Sequence, residues 1–203
     1  MKNNYEEILI KRFNKKIENY GYDIKSLGWD IKKNQNKRFN NIFKIINLKD
    51  CKTILDVGCG FGDLFKFIIK KKIKLKYSGI DINNNFIKIC KKNFPSKNCK
   101  FYNKSIFNHN QSFDLTTSFG LLNYKKCTRS YIKKFVKKCF NKSNKSALID
   151  FISDDQQINR DKFIIYHKPE IILKEIRKVT NNYALLSDYE NIPQKEFTII
   201  LYK

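Results

Sequence analysis

The residues of this chain best suited to chemistry form a short glycine-rich run, Asp56-Val57-Gly58-Cys59-Gly60-Phe61-Gly62. It follows the apolar Ile54-Leu55 and precedes an amphipathic stretch from about Asp63 to Lys72. Between a strand and a helix, glycines permit a tight turn and a close approach of backbone to ligand. The helix N-terminus adds unpaired N–H groups and partial positive charge, which suit a carboxylate or phosphate. Alone, the run also fits a plain glycine-rich turn. Two carboxylates argue for more. Asp81 closes a second apolar run, Tyr77 to Ile80, 21 positions beyond Gly60. An acidic side chain there can accept hydrogen bonds from both hydroxyls of a ribose. Asp56 stands just ahead of the glycines, where it would repel a pyrophosphate crossing the loop and attract an ammonium group. A ligand made of adenosine and an amino-acid tail satisfies both carboxylates.

The elements that must hold these residues are legible in the hydrophobic pattern. From Thr53 onward, β-rich runs alternate with amphipathic helices. Strands are expected at Thr53–Val57, Tyr77–Ile82, Lys100–Ser105, Phe113–Phe119 and Ala147–Ile152. Helices are expected from about Asp63 to Lys72, around Phe86 to Cys90 before Pro95, over Arg129–Phe140 and over Glu170–Val179. Strand–helix alternation implies a parallel sheet with right-handed crossovers. Two closing runs, Tyr183–Ser187 and Phe197–Tyr202, are joined by a turn-like link through Asn191 and Pro193. That link is too short for a helical crossover, so the pair is expected to be antiparallel. Ahead of Thr53, Ile8, Leu9, Phe13, Ile17 and Tyr20 fall near helical spacing, and Gly21 ends that segment. A second helical pattern covers about Gln35 to Leu48. The expected fold is therefore α/β, with a single Rossmann-like domain. Its seven-stranded, mostly parallel sheet ends in an antiparallel C-terminal hairpin. Residues 1–48 form a helical extension or lid, and 49–203 the ligand-binding domain.

Ile54 to Gly62 resembles the first motif of the class I (Rossmann-like) S-adenosylmethionine-dependent methyltransferases, and Gly79-Ile80-Asp81-Ile82 resembles their second. Phe113-Asp114-Leu115 through Phe119-Gly120-Leu121-Leu122-Asn123-Tyr124 is similar to their fourth strand and the loop over the reacting methyl group. The closing hairpin matches their last two strands. The resemblance spans about Lys49 to Lys203. It implies S-adenosylmethionine as cofactor. Asp56, Gly58, Gly60 and Gly62, with Cys59 in the same loop, would hold its methionine end. Asp81 would take the ribose and Ile82 would lie against the adenine. Phe119 and Leu121 would flank the sulfonium. After the third strand, family members often carry an acidic residue near the adenine amino group. This chain has Asn103-Lys104-Ser105-Ile106 there, leaving Ser105, beside Ile106, as the expected adenine contact. The segment Leu27-Gly28-Trp29 with Gln35, Arg38 and Phe39 resembles a pattern in small bacterial methyltransferases. In it Trp29 would cap the cofactor and Arg38 would pair with its carboxylate. Core packing is the competing role for Trp29 and Phe39.

The net charge of +23 invites a nucleic-acid reading. Yet lysine far outnumbers arginine, the residue whose fork reads phosphates and bases, and the lysines are spread along the whole chain. Solubility is the favoured reading. The six cysteines form no CxxC or CxH pair, so no zinc site is expected. The chain shows no signal peptide and no apolar run of membrane length, so a reducing cytoplasm is the expected compartment. The loop Ser118-Phe119-Gly120-Leu121 lacks the Asn/Asp-Pro-Pro-aromatic run of methyltransferases acting on exocyclic amines of bases. No Pro-Cys pair supplies a nucleophile for cytosine C5. The expected acceptor is the O or N of a small or carrier-linked molecule, for example a sugar or surface-glycan precursor. An RNA-directed enzyme and a non-catalytic subunit that binds S-adenosylmethionine are the alternatives. A hydroxyl acceptor would need a base. His167, Tyr124 and Asp150 are the catalytic candidates, with Asp154 and Asp155 nearby and each open to an ordinary structural role.

Overall fold

Five parallel strands form the frame: β1 (Thr53–Val57), β2 (Lys76–Asp81), β3 (Cys99–Asn103), β4 (Phe113–Ser118) and β5 (Ser143–Ile152). Two more, β6 (Tyr183–Leu186) and β7 (Glu196–Tyr202), complete one sheet in the order β3-β2-β1-β4-β5-β7-β6. β7 alone runs against the rest, pairing antiparallel with both β5 and β6. The helices are α1 (Asn4–Tyr20), α2 (Lys32–Ile45), α3 (Asp63–Lys70), α4 (Asn84–Asn93), α5 (Arg129–Asn141) and α6 (Pro169–Ile176). This computed structural model describes residues 4–28, 32–155, 161–187 and 195–203. Trp29 and the expected turn through Asn191 and Pro193 lie outside those residues.

Both faces of the sheet are covered, which is why its central strands read as nearly continuous apolar runs. Successive side chains of a strand point to opposite faces. Ile54, Leu115 and Leu148 accordingly pack with α2, α3 and α4, whereas Leu55, Val57 and Ile149 pack with α1, α5 and α6. Local signals fix where helices begin. Thr128 caps α5 by accepting from Tyr131 N at 3.1 Å, Asn83 caps α4 by accepting from Asn85 N at 2.9 Å, and Pro169 opens α6. β5 starts at Ser143, earlier than its apolar stretch. Ser143 pairs with Phe113, and its hydroxyl donates to Cys139 O at 2.9 Å, which satisfies a polar strand end.

The N-terminal helices straddle the sheet. Tyr5 and Leu9 of α1 join the core on the α5 side, whereas Phe39 and Ile42 of α2 join the core on the α3 side. Each is a buried anchor, and a fully buried Leu or Phe contributes about 1.5–3 kcal/mol. Between them a 3-10 turn, Ile24–Leu27, lays Leu27 on the glycine loop. Together these elements wall a cavity at the carboxyl edge of the parallel strands, the edge at which open α/β sheets bind ligands.

Candidate functional site

The glycine loop forms the floor of that cavity. Gly58 N and Cys59 N both donate to Ile80 O, at 2.8 and 3.1 Å, so the loop is tied to β2. Gly58 and Gly60 have φ of +78° and +52°, a left-handed region costly for other residues. A Cβ on Gly58 would meet Leu121 at 2.5 Å, and one on Gly60 would meet Leu27 at 2.7 Å. Glycine is thus required both by conformation and by how closely the neighbours approach.

Asp56 leads into this loop from the end of β1, in register with Gly79 on β2 and Thr117 on β4. The Tyr77 hydroxyl donates to its carboxylate at 2.6 Å and Thr117 Oγ1 at 3.3 Å. Burial outweighs those bonds and pushes its pKa up to about 7. Asp81 is held at both oxygens by backbone: Gly60 N donates to one at 3.0 Å and Asn83 N to the other at 2.8 Å. Each oxygen keeps a lone pair for a further donor. Burial raises this pKa too, to about 6. Two carboxylates buried in one cavity, both raised, fit a ligand that brings positive charge and hydroxyl donors.

Asp56, Gly58, Cys59, Gly60, Asp81, Ile82, Phe119, Leu121, Tyr124 and Arg38 line one cavity of about 240 Å³. Gly62 instead starts α3 in the left-handed conformation, and its N–H donates to Cys59 O at 2.8 Å. Ile106 lies under Ile82 and Leu121 in an adjoining crevice. Ser105 caps the 3-10 turn that follows it, and its hydroxyl donates to Glu6 at 2.6 Å. That bond corrects the expectation of a direct Ser105–adenine contact. A carboxylate is present in the crevice with Ile82 and Ile106 after all, but it is Glu6, delivered by α1. Glu6 also accepts from Tyr131 OH at 3.5 Å.

Three other expectations need correction. Arg38 lines the cavity, but its Nε and Nη2 donate to Glu196, and Asp150 lies 3.6 Å away. Its guanidinium thus already faces two buried carboxylates, partners the sequence did not announce. It joins α2 to β5 and β7. Asp150 is committed likewise, accepting from Gly120 N at 2.6 Å, and is not in the cavity wall. His167 is buried behind that wall. Its Nε2 lies 3.0 Å from Leu122 O, its ring rests edge-on against Phe151, and its N–H donates to Ile152 O at 2.8 Å. Burial lowers its pKa, so it is a neutral packing residue in a short bridge to Ser153. Asp154 and Asp155 are likewise outside the wall. Tyr124 does line the cavity, but burial pushes its hydroxyl up to about 12, which makes it a donor and not a base.

Sequence reasoning missed most of the far wall: Arg12 and Lys16 of α1, Asn123, and Asp161, Ile164 and Tyr166 after β5. One signal was available. The chain has only five arginines, and two of them, Arg12 and Arg38, reach this cavity.

Comparison with known proteins agrees with this geometry. A family model described as a methyltransferase domain matches residues 55–141, which include the glycine loop and Asp81. No curated protein matches the chain. Among solved structures, magnesium protoporphyrin IX methyltransferase from Synechocystis, crystallised with bound SAH, has a TM-score of 0.68 at 11% identity, covering 97% of this chain and 95% of that one. A S-adenosylmethionine-dependent methyltransferase from Clostridium acetobutylicum has a TM-score of 0.65 at 18% identity, covering 94% and 98%. The methyltransferase domain of bacterial CtHen1 gives 0.66 at 13%, covering 83% and 99%. At such identities the likeness speaks for the fold. The family match over the glycine loop and Asp81 and the likeness to these structures agree: residues 55–141 carry a methyltransferase domain on a Rossmann-like methyltransferase fold, and the cofactor of that domain is S-adenosylmethionine.

Proposed function

We propose that this enzyme methylates an O or N of a small acceptor, free or carrier-linked, that is enclosed between the sheet edge and the N-terminal helices. The observation that supports this most is the far wall: side chains of α1 and α2 line the same cavity as Asp56 and Asp81. A cleft walled by helices as well as by the sheet edge suits a small acceptor better than a folded nucleic acid. Residues 1–48 act in this reading as a lid, and 49–203 as the domain that binds the cofactor.

S-adenosylmethionine supplies an electrophilic methyl group on a sulfonium. The chain's own residues do the holding. Asp56 and the glycine loop take the methionine end, with Asp56 facing its ammonium. Asp81 takes the ribose hydroxyls on its remaining lone pairs. Ile82 and Ile106 flank the adenine, and Glu6 accepts from its amino group. Phe119 and Leu121 exclude water around the sulfonium, where orientation of the acceptor is worth more than a strong base. With His167 and Asp150 out of reach, the cavity favours an acceptor that needs no strong base, such as an amine with a free lone pair or an oxygen already ionised.

Calorimetry tests the donor half. S-adenosylmethionine and S-adenosylhomocysteine should bind in the micromolar range, about −8 kcal/mol, and NAD should not. Binding of NAD without either of the others would sink the proposal.

A further inference from the structure

The cavity wall also carries a cation on α1, Arg12. Arg12 sets its guanidinium over two rings, with Cζ 5.2 Å from the centroid of Tyr124 and 4.6 Å from that of Phe163. A ring offers the charge its face but supplies no strong hydrogen-bond acceptor, so the N–H groups, which lie in the plane of the guanidinium, remain to be met by an oxyanion. Arg12 makes no ion pair among the described residues, and its Nε is buried with no hydrogen-bond partner.

A second donor stands in the same wall. Asn123 is 1% exposed, and its Oδ1 accepts from Ile152 N at 2.9 Å, so the amide is pinned to the end of β5. Its Nδ2 is buried and has no partner. Buried donors of this kind are unfavourable until a ligand provides an acceptor. Phe13 and Ile164 supply apolar wall around them. One anion, Asp161, lies at the rim. It is exposed, and its Oδ1 accepts from Phe163 N at 2.7 Å, which steadies the loop carrying one of the two rings under Arg12.

We infer that the methyl acceptor carries an oxyanion, carboxylate or phosphate, gripped by the in-plane N–H groups of Arg12 with Asn123 Nδ2 as a further donor. The inference rests on the proposed function in taking the ligand of this wall to be the methyl acceptor. Such a ligand would sit with its negative end away from Asp56 and Asp81 and its apolar body against Phe13 and Ile164.

Benzoate, phenyl phosphate and benzamide share one ring and differ in the charged group, so they serve as probes. Protein loaded with S-adenosylhomocysteine is titrated with each. Benzoate or phenyl phosphate should bind at least about tenfold more tightly than benzamide, a difference of about 1.4 kcal/mol, and the tighter of the two names the oxyanion. Arg12→Gln should abolish the preference. Arg12→Lys should keep part of it, because the charge remains and the fork is lost. Equal binding of all three probes, binding of none, or a preference that survives Arg12→Gln would overturn the inference while leaving the donor half intact. If Arg12→Gln does not fold, the three-probe comparison on the unaltered protein decides alone. Failure to load S-adenosylhomocysteine at all would remove the functional reading, and this inference with it.

Discussion

The two halves of the cavity are built by different means. The donor half comes from one continuous stretch of sheet edge, where backbone amides fix Asp81 and the glycines admit the ligand. The acceptor half is assembled from α1, α2, the loop after β4 and the loop after β5, which lie far apart in the chain. The first is rigid because the sheet hydrogen bonds define it. The second depends more on side-chain contacts, notably Arg38 with Glu196 and Asp150, and Tyr5 OH donating to Leu121 O at 2.8 Å, while Lys125 N donating to Phe163 O at 3.0 Å and Ile165 N to Asn123 O at 2.9 Å tie its two loops together. The common chemistry thus sits on the part that cannot move far, and the particular chemistry on the part that tolerates change.

The largest effect should come from cutting the contact that anchors α2 to the sheet. Arg38→Met leaves Glu196 and Asp150 buried without their cation, and removing one member of a buried ionic group costs about 3–5 kcal/mol. Urea unfolding should show that loss, and adding Glu196→Gln should recover part of it. An unchanged midpoint would mean that α2 is anchored elsewhere.

Next in size is a test confined to the donor half. Asp81→Ala should weaken S-adenosylhomocysteine binding by about 1.5–3 kcal/mol, the scale of hydrogen bonds to a charged group. Stability should change much less. Comparable losses in both would show that Asp81 serves the loop and not the ligand.

The titration of Asp56 sharpens the same point. Its pKa is raised to about 7 in the ligand-free fold, so below that pH the carboxyl is largely neutral, whereas an ammonium ligand requires it ionised. Binding should therefore release a proton, and affinity should climb by up to about tenfold per pH unit toward pH 7 and then level off. In the absence of ligand the sign for folding is opposite. The unfolded chain ionises first, so this group's contribution falls as pH rises from about 4 to about 7. Asp56→Asn should lessen both slopes, with Asp81 and its own raised pKa supplying what remains, and slopes unchanged in that variant would assign the proton to another group.

The smallest expected effect crosses the boundary between the halves. Glu6→Gln should cost about 1 kcal/mol in S-adenosylhomocysteine affinity, one ordinary hydrogen bond. It should also narrow the preference over S-inosylhomocysteine, which has a carbonyl in place of the adenine amino group. Unaltered discrimination would leave Glu6 as a partner of Ser105 and Tyr131 and not of the ligand.

The same division explains what could be read in advance. The sheet, its closing hairpin and the glycine loop with its two carboxylates follow from local pattern, because glycine, β-branched runs and strand-end acids sit next to the residues they serve. Glu6 and Arg12 were not legible, since a charged residue on an amphipathic helix reads as a solvated face until the packing of that helix is known. His167 misled for the converse reason. Its position after β5 and before a proline-led helix suggested the cavity mouth, but the backbone bond from His167 N to Ile152 O turns the ring inward onto Phe151. Arg38 was placed at the right wall, and only its partners were unforeseen, because Glu196 is 158 residues away.

One consequence of the charge distribution is kinetic. The chain carries a net +23, yet the donor half gathers Asp56, Asp63 and Asp81 at its wall. The sulfonium cofactor has a net positive charge, so the distant field opposes its approach while the near field holds it once it arrives. Salt screens the first over about 8–10 Å and reaches the buried carboxylates much less. Moderate ionic strength should then quicken cofactor association with little change in its escape, the reverse of the steering usually expected of a ligand and its site.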